Sequence, residues 1–130
     1  MILLDTNVVL WMAFEKSRIS KAGVRAIDES RQNDSGLAIC SISLLEVATL
    51  VRKGRLQLNG TLEAFLQEVE ARFAVLPLSS RICARINELP ANYPKDPADR
   101  VIASTALVEG MALLTADRDI RRSRAVRTIW

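Results

Sequence analysis

Short apolar runs alternate along the chain with longer segments in which apolar residues recur every three or four positions. The short runs predict buried β-strands, and the recurring pattern predicts helices that pack on them. The predicted strands are MILL, GLAIC, AVLPLS, MALLT and RAVRTIW, and the predicted helices are TNVVLWMAF, SKAGVRAIDESRQ, SLLEVATLVRKGR, TLEAFLQEVEARF, SRICARINEL and PADRVIASTALVEG. Strands that alternate with helices form a parallel sheet covered on both faces. The predicted fold class is therefore α/β, a three-layer α/β/α sandwich with a mainly parallel sheet of four to five strands.

The predicted helices have residues at their ends that are typical of helix boundaries. Ser20 and Thr61 are expected N-caps, and Gly110 is expected to end the longest helix. The weakest boundary is the loop NYPKDP, which is marked by two prolines. Because 130 residues are enough for one core and too few for two, residues 1–130 are expected to form a single domain.

The composition removes several kinds of catalytic site. The chain has no histidine, which excludes His-based acid–base catalysis, serine-type triads and His-ligated zinc. Cys40 and Cys83 are isolated in apolar surroundings, and we expect them to be reduced core residues. Hydrolytic chemistry would therefore depend on carboxylates, on lysine, or on a metal ion held by oxygen ligands.

Charge and hydropathy indicate the kind of partner and the cellular location to expect. The net charge is +3, and the last thirteen residues, RDIRRSRAVRTIW, contain five arginines. Such a segment favours an anionic partner such as nucleic acid, although a solvated basic face is an equally good interpretation. No apolar stretch approaches the length of a membrane span, and the N-terminus has no basic leader. We therefore expect a cytoplasmic protein without a membrane segment.

Four acidic residues lie where a parallel sheet places its functional sites, at the carboxyl ends of strands. Asp5 ends the first strand, and Asp117 follows MALLT by one residue. Glu46 lies in the first turn of the helix after GLAIC. Asp99 lies in the first turn of the helix that begins at Pro97, and the sequence does not fix which edge of the sheet it occupies.

Each acid also has a purely structural explanation. Asp5 could cap the helix that begins at Thr6, and Asp117 could be an ordinary turn residue. The segment from Ser43 to Glu46 has the pattern of a capping box. Asp96 could cap the helix that starts at Pro97.

The four acids together point to a cation. Carboxylates about 5 Å apart repel by roughly 3 kcal/mol per pair at an effective dielectric constant near 20. A folded protein that brings them together needs a cation or raised pKa values to offset this repulsion. Oxygen ligands alone select hard ions, so Mg²⁺ or Mn²⁺ is the expected cofactor. Such an ion lowers the pKa of a bound water and offsets the charge that develops on a phosphodiester.

The chain resembles PIN-domain ribonucleases, and specifically the VapC-type toxins of VapBC toxin–antitoxin modules. The stretches ILLDTNVVLW, SISLLEVATL, DPADRVIASTAL and LLTADRDI carry this resemblance, which covers essentially the whole chain. It implies a PIN-like fold and an acidic quartet that holds one or two divalent ions, namely Asp5, Glu46, Asp99 and Asp117. Other implied roles are orientation of the carboxylates by Asn7 and Thr115, a cap or outer-shell position for Asp96, and RNA phosphate contacts for Arg100, Arg118, Arg121 and Arg122.

The resemblance also implies an activity and partners. The expected activity is metal-dependent endonucleolytic hydrolysis of structured cellular RNA, of the tRNA or rRNA class. The expected partners are the RNA substrate, a cognate antitoxin protein, and a second copy of the chain in a homodimer.

Other interpretations of the same acids stay open to different degrees. A haloacid-dehalogenase-like phosphatase needs a second acid two positions after Asp5, where Asn7 stands. A phosphoacceptor receiver domain, or another Mg²⁺-binding signalling domain, fits the length but would have paired acids after the first strand. A PIN module that binds nucleic acid or a partner without cleaving is a further alternative. A nuclease that acts on DNA would use the same metal chemistry.

Overall fold

The computed structural model describes all 130 residues and consists of a five-stranded sheet with helices on both faces. All four strand pairs are parallel, and the strand order is β3-β2-β1-β4-β5. The strands are β1 (Ile2–Leu4), β2 (Leu37–Cys40), β3 (Ala74–Leu76), β4 (Leu113–Leu114) and β5 (Thr128–Ile129). The helices are α1 (Thr6–Phe14), α2 (Lys21–Gln32), α3 (Ile42–Arg52), α4 (Leu62–Arg72), α5 (Ser80–Ile86), α6 (Pro97–Glu109) and α7 (Arg118–Ser123). The predicted fold class is confirmed.

The central strand β1 explains why the N-terminal run is apolar at consecutive positions. It pairs with β2 on one side and with β4 on the other, so Leu3 faces Ala38 and Leu113. Leu3 and Leu4 are completely buried. Because successive side chains of a strand point to opposite faces, Leu3 belongs to one hydrophobic core and Leu4 to the other. The sheet is therefore the middle of three layers.

The predicted helix ends are largely confirmed. The Ser20 hydroxyl accepts a hydrogen bond from the Gly23 amide, and the Thr61 hydroxyl accepts one from the Ala64 amide. Gly110 ends α6 in the left-handed conformation, with φ of 65°, which costs a glycine little. These local signals were sufficient because each depends on residues within one turn of the helix end.

The capping box expected at Ser43 is wrong. The N-cap of α3 is Ser41, and its side chain makes no capping hydrogen bond. Ser43 is instead the second residue of the helix and is buried against Thr6, a residue 37 positions earlier in the chain. The Ser43 hydroxyl therefore contacts a residue of another helix and does not cap its own helix.

Two further expectations are corrected at the C-terminal end and at one cysteine. The arginine-rich segment forms α7, a helix that was not predicted because Ile120 is its only apolar residue and gives no periodic pattern. The last strand is limited to Thr128–Ile129. Cys83 is exposed, whereas Cys40 is buried, and both are free thiols.

No helix has the length and apolar character needed to span a bilayer.

Candidate functional site

Asp5 is a buried carboxylate at the carboxyl end of the central strand, with 8% of its surface exposed. One of its oxygens accepts a hydrogen bond from the Thr6 amide at 2.8 Å, so Asp5 is the N-cap of α1. The other accepts a hydrogen bond from the Thr115 hydroxyl at 2.7 Å. Burial raises the pKa of Asp5, and nearby Asp117 and Asp96 raise it further, whereas the two hydrogen bonds oppose the rise.

Thr115 connects Asp5 to Asp117 across the sheet. Its hydroxyl donates to Asp5 and accepts a 3.1 Å hydrogen bond from the Asp117 amide. Asp117 in turn caps α7, since one of its oxygens accepts hydrogen bonds from the amides of Asp119 and Ile120 at 2.8 and 3.0 Å. The carboxyl ends of β1 and β4 therefore present two aspartates that are linked through one buried hydroxyl.

Glu46 approaches the same edge of the sheet from α3. Its carboxylate accepts a hydrogen bond from the Thr6 hydroxyl, and the Thr6 and Ser43 hydroxyl oxygens lie 2.8 Å apart. A hydroxyl has only one proton, so when Thr6 donates to Glu46, Ser43 donates to Thr6. Burial raises the pKa of Glu46, the Thr6 hydrogen bond lowers it, and Asp5 and Asp96 raise it again.

Asp99 lies in the first turn of α6, and Asp96 caps that helix. The Asp96 carboxylate accepts hydrogen bonds from the amides of Ala98 and Asp99 at 2.8 and 3.2 Å. Burial raises the pKa of Asp99 to about 7, and the rise is reinforced by four other acids, Asp5, Asp96, Glu46 and Asp117. Asp99 is therefore within electrostatic reach of every other acid at this edge, which resolves the edge that the sequence left open.

These acids have no basic partner. The two ion pairs of the protein, Arg18–Glu15 and Arg85–Glu88, are formed by exposed side chains of other residues. We call the acids at this edge the carboxylate groove; they are Asp5, Glu46, Asp96, Asp99 and Asp117. The groove therefore concentrates negative charge, and none of its acids forms an ion pair with a lysine or arginine.

The donor set of the carboxylate groove suits a hard divalent cation, because every candidate ligand is a carboxylate oxygen. No three acids are arranged to hold a metal ion as they stand. Asp5 and Asp117 use their oxygens in helix caps and in the Thr115 hydrogen bond, although each carboxylate oxygen retains a second lone pair. Enclosing one ion would therefore require side-chain rotations, and the residues fit such an ion in chemistry and in charge.

The comparisons with known proteins identify the family of this chain. The family model described as PIN domain matches residues 2–125. The chain belongs to the PIN-domain family. It is 34% identical to Ribonuclease VapC22 of Mycobacterium tuberculosis over 131 aligned positions, which cover 99% of this chain and 98% of that protein. The resemblance to VapC-type PIN domains is thereby confirmed.

Solved structures show the same PIN fold. VapBC2 from Rickettsia felis, in a crystal structure bound to a DNA fragment from their promoter, is 21% identical, with a TM-score of 0.74 and coverage of 98% of this chain and 97% of that chain. FitAcB from Neisseria gonorrhoeae is 24% identical, with a TM-score of 0.69 and coverage of 98% and 96%. VapBC from Salmonella typhimurium, bound to DNA, is 22% identical, with a TM-score of 0.72 and coverage of 98% and 97%.

The other predicted site residues of this PIN domain differ in their environments. Asn7 is exposed in the first turn of α1, and its orienting role stays a prediction. Arg100 is half-buried, and its guanidinium donates to the Tyr93 carbonyl at 3.4 Å. Arg118, Arg121 and Arg122 are exposed on α7. Their contacts with RNA stay predictions as well.

Two residues that contact the acids of the groove, Thr6 and Tyr93, are not predicted from the sequence. Thr6 was considered only as the start of α1, and its hydroxyl contact with Glu46 spans 40 positions that no local pattern connects. Tyr93, in the proline-marked loop, is 1% exposed and donates its hydroxyl to the Asp99 carbonyl at 2.8 Å. Burial raises the pKa of Tyr93, with a further contribution from Asp99. A lone aromatic residue in a proline-marked loop is the only signal that the sequence offers for this anchor.

Proposed function

We propose that this PIN domain is a divalent-metal-dependent endoribonuclease and the toxin of a toxin–antitoxin module. The observation that carries the proposal is Asp5, a buried carboxylate among other acids that has no cationic side chain beside it. A buried charge without a partner is costly, so an arrangement of this kind is best explained by a cation that the chain binds. The relative VapC22 is named a ribonuclease, which supports the choice of RNA.

The residues proposed to hold Mg²⁺ or Mn²⁺, as one or two ions, are Asp5, Glu46, Asp99 and Asp117. Such an ion, when bound, lowers the pKa of a water and offsets the charge that develops on a phosphodiester. The chain itself contributes orientation, because Thr115 holds Asp5 and Thr6 holds Glu46 through hydroxyl donors. Asp96 is proposed to cap α6 without being a ligand, and Asn7 to orient the carboxylates.

The carboxyl group of Asp99 is proposed to bind either a proton or a metal ion. Because burial raises its pKa to about 7, part of the molecules hold a proton on Asp99 near neutral pH when metal is absent. A divalent ion competes with that proton for the same oxygens. The groove therefore exchanges a proton for a metal ion, which supplies the positive charge that the chain lacks at this edge.

The proposed substrate is structured cellular RNA of the tRNA or rRNA class, and Arg100 is proposed to contact its phosphates. The proposed protein partners are a cognate antitoxin and a second copy of the chain. An apolar groove of about 310 Å³ between α1, α2 and α4, which includes Met12, Ile27 and Phe65, is available to an apolar segment of such a partner. Residues 1–130 are proposed to act as one domain in the cytoplasm.

The proposal is tested by incubating the purified protein, freed of any co-expressed partner, with total cellular RNA in Mg²⁺, Mn²⁺ or EDTA. We expect discrete fragments in the presence of metal, no fragments in EDTA, and none with Asp5→Asn. The matched control is Asp34→Asn, since Asp34 is an exposed turn residue whose φ of 56° is also tolerated by asparagine. Cleavage that persists in EDTA or in Asp5→Asn would contradict the proposal. Tight RNA binding without cleavage would favour a silent binding module.

A further inference from the structure

Tyr93 is the only buried residue between positions 83 and 100, a stretch that runs from α5 through the proline-marked loop into the first turn of α6. Its side chain is 1% exposed and belongs to the hydrophobic core on one face of the sheet, together with Ile82 and Ile102. Tyr93 is therefore the one fully buried attachment of this stretch to the core.

Two hydrogen bonds join Tyr93 to the first turn of α6 in opposite directions. The Tyr93 hydroxyl donates to the Asp99 carbonyl at 2.8 Å, and the Arg100 guanidinium donates to the Tyr93 carbonyl at 3.4 Å. We call this pair of hydrogen bonds the Tyr93 clasp. The second bond is long, whereas the first has the usual length of a hydroxyl hydrogen bond, so the hydroxyl provides most of the connection. The Tyr93 amide also donates to the Pro90 carbonyl at 3.0 Å, which fixes the loop that carries the ring.

The first turn of α6 has little other support. Residues 98–100 are only half-buried, and the buried part of the helix begins at Val101. The local support is the carboxylate of Asp96, an exposed residue that caps the helix. The end turns of helices open more readily than the middle, because several of their backbone groups have no partner within the helix. The clasp is therefore the contact that holds this turn against the core.

This turn carries Asp99, the acid on which the other acids of the groove act together. The charges of the four other acids add to the effect of burial at its carboxyl group. When no cation is present, like charges at this edge push the side chain of Asp99 away from the groove. The Tyr93 hydroxyl binds the backbone of Asp99 itself and so opposes that displacement directly. Because Tyr93 is almost completely buried, it acts through Asp99 and does not touch a substrate.

We propose that Tyr93 is a positioning residue, which holds Asp99 in place in the metal-free groove and thereby raises the affinity of the groove for its divalent ion. This inference rests on the proposed metal-dependent function. A ligand that is already fixed loses less conformational freedom when the ion binds, so binding becomes tighter. Loss of a residue that orients a metal ligand commonly weakens metal binding about tenfold or more. We expect a somewhat smaller effect here, since Tyr93 binds the main chain of Asp99.

The test compares Tyr93→Phe with the matched control Thr105→Val. Thr105 is also completely buried, and its hydroxyl donates to the Val101 carbonyl at 2.7 Å. Both substitutions thus remove one buried hydroxyl that donates to a backbone carbonyl of α6, and the Tm should fall by a similar few degrees in each. In an isothermal titration with Mn²⁺, we expect the Kd to rise about fivefold or more in Tyr93→Phe and less than about twofold in Thr105→Val.

Amide hydrogen exchange tests the proposed cause without reference to cleavage. The Arg100 amide donates to the Asp96 carbonyl at 3.1 Å, so its exchange reports the opening of the first turn of α6. In EDTA we expect this exchange to be about fivefold faster or more in Tyr93→Phe than in the unmodified protein. Saturating Mn²⁺ should remove the difference. Thr105→Val should exchange at this amide like the unmodified protein.

Cleavage of RNA distinguishes positioning from a direct catalytic role. The half-saturating Mn²⁺ concentration for cleavage should rise in Tyr93→Phe, whereas the rate at saturating Mn²⁺ should stay within about twofold of that of the unmodified protein. A rate that saturating Mn²⁺ does not restore would contradict a positioning role.

The outcomes separate this inference from the proposed function. If the unmodified protein binds Mn²⁺ and Tyr93→Phe binds it equally well, the inference is overturned and the proposed function stands. Equal losses of Mn²⁺ affinity in Tyr93→Phe and Thr105→Val would also overturn the inference, because the effect would then follow from lower stability. An unmodified protein that binds no Mn²⁺ would remove both the proposed function and the inference.

Discussion

The Thr115 hydroxyl donates a 2.7 Å hydrogen bond to Asp5 Oδ2 across 110 positions of the chain and accepts one from the Asp117 amide. A single buried side chain thus connects the carboxyl ends of two adjacent strands, β1 and β4. Because both acids are fixed through it, the distance between them is set by the sheet and not by flexible loops. A rigid edge of this kind is what a metal-binding or catalytic group of carboxylates requires.

Replacing Asp5 by asparagine should abolish RNA cleavage without lowering the stability of the metal-free protein. Asp5→Asn removes a buried charge among other acids, so the Tm of the metal-free protein is expected to stay the same or rise while RNA cleavage is lost. Differential scanning calorimetry in EDTA measures the Tm, and Asp34→Asn serves as the exposed control. A clearly lower Tm would contradict this expectation, because asparagine keeps the N-cap acceptor and the loss would then come from the Thr115 hydrogen bond to the carboxylate.

Removing the Thr6 hydroxyl should leave the Glu46 carboxylate less firmly held in place. Thr6→Val keeps the shape of the side chain but removes the donor to Glu46 and the contact with Ser43. We expect a loss of about 1–2 kcal/mol in the free energy of unfolding, typical for buried hydrogen bonds, together with slower RNA cleavage. Urea unfolding and cleavage rates at several Mn²⁺ concentrations measure the two effects. A lower stability with an unchanged Mn²⁺ dependence would show that Thr6 supports the fold alone.

Two substitutions at Asp96 should distinguish a helix cap from a metal ligand. Asp96→Ser keeps an N-cap acceptor and should preserve both the Tm and cleavage, whereas Asp96→Ala should lose about 1 kcal/mol of stability. Thermal unfolding and the RNA cleavage assay report the two properties separately. Lost cleavage in Asp96→Ser, with an unchanged Tm, would place Asp96 among the ligands.

The stability of the metal-free protein should fall as the pH rises towards neutral. Burial and the neighbouring acids raise the pKa of Asp99 to about 7 in the folded protein, whereas the pKa returns to its ordinary value of 3.8 on unfolding. Between these values the folded state binds more protons than the unfolded state, so the free energy of unfolding decreases as the pH increases. Urea unfolding in EDTA from pH 4 to pH 8 should show this decrease, and Asp99→Asn should reduce it. A free energy that rises through this range would contradict the raised pKa.

The sequence predicts this fold well because its strands and helices are defined by local apolar patterns and by end residues such as Ser20 and Gly110. The positions of the four acids follow from the same patterns, since three of them are counted from strand ends. The α7 helix escapes prediction because one apolar residue, Ile120, is enough to anchor it.

The connections between the acids are much harder to predict. The pattern from Ser43 to Glu46 favours a local capping box, and only the packing of α1 against α3 shows that both residues turn to Thr6. The contact of Tyr93 with Asp99 likewise depends on how a loop folds back on α6. Local patterns carry no information on such tertiary hydrogen bonds.

The central claim, that the carboxylate groove binds the divalent ion required for RNA cleavage, is tested most directly by an isothermal titration with Mn²⁺. Three proteins are compared: the unmodified chain, Asp5→Asn, and the exposed control Asp34→Asn. We expect saturable binding of one or two ions in the unmodified chain and in the control, and at least about tenfold weaker binding in Asp5→Asn. Equal binding by all three proteins, or no binding by any of them, would contradict the claim and leave Asp5 as a helix cap.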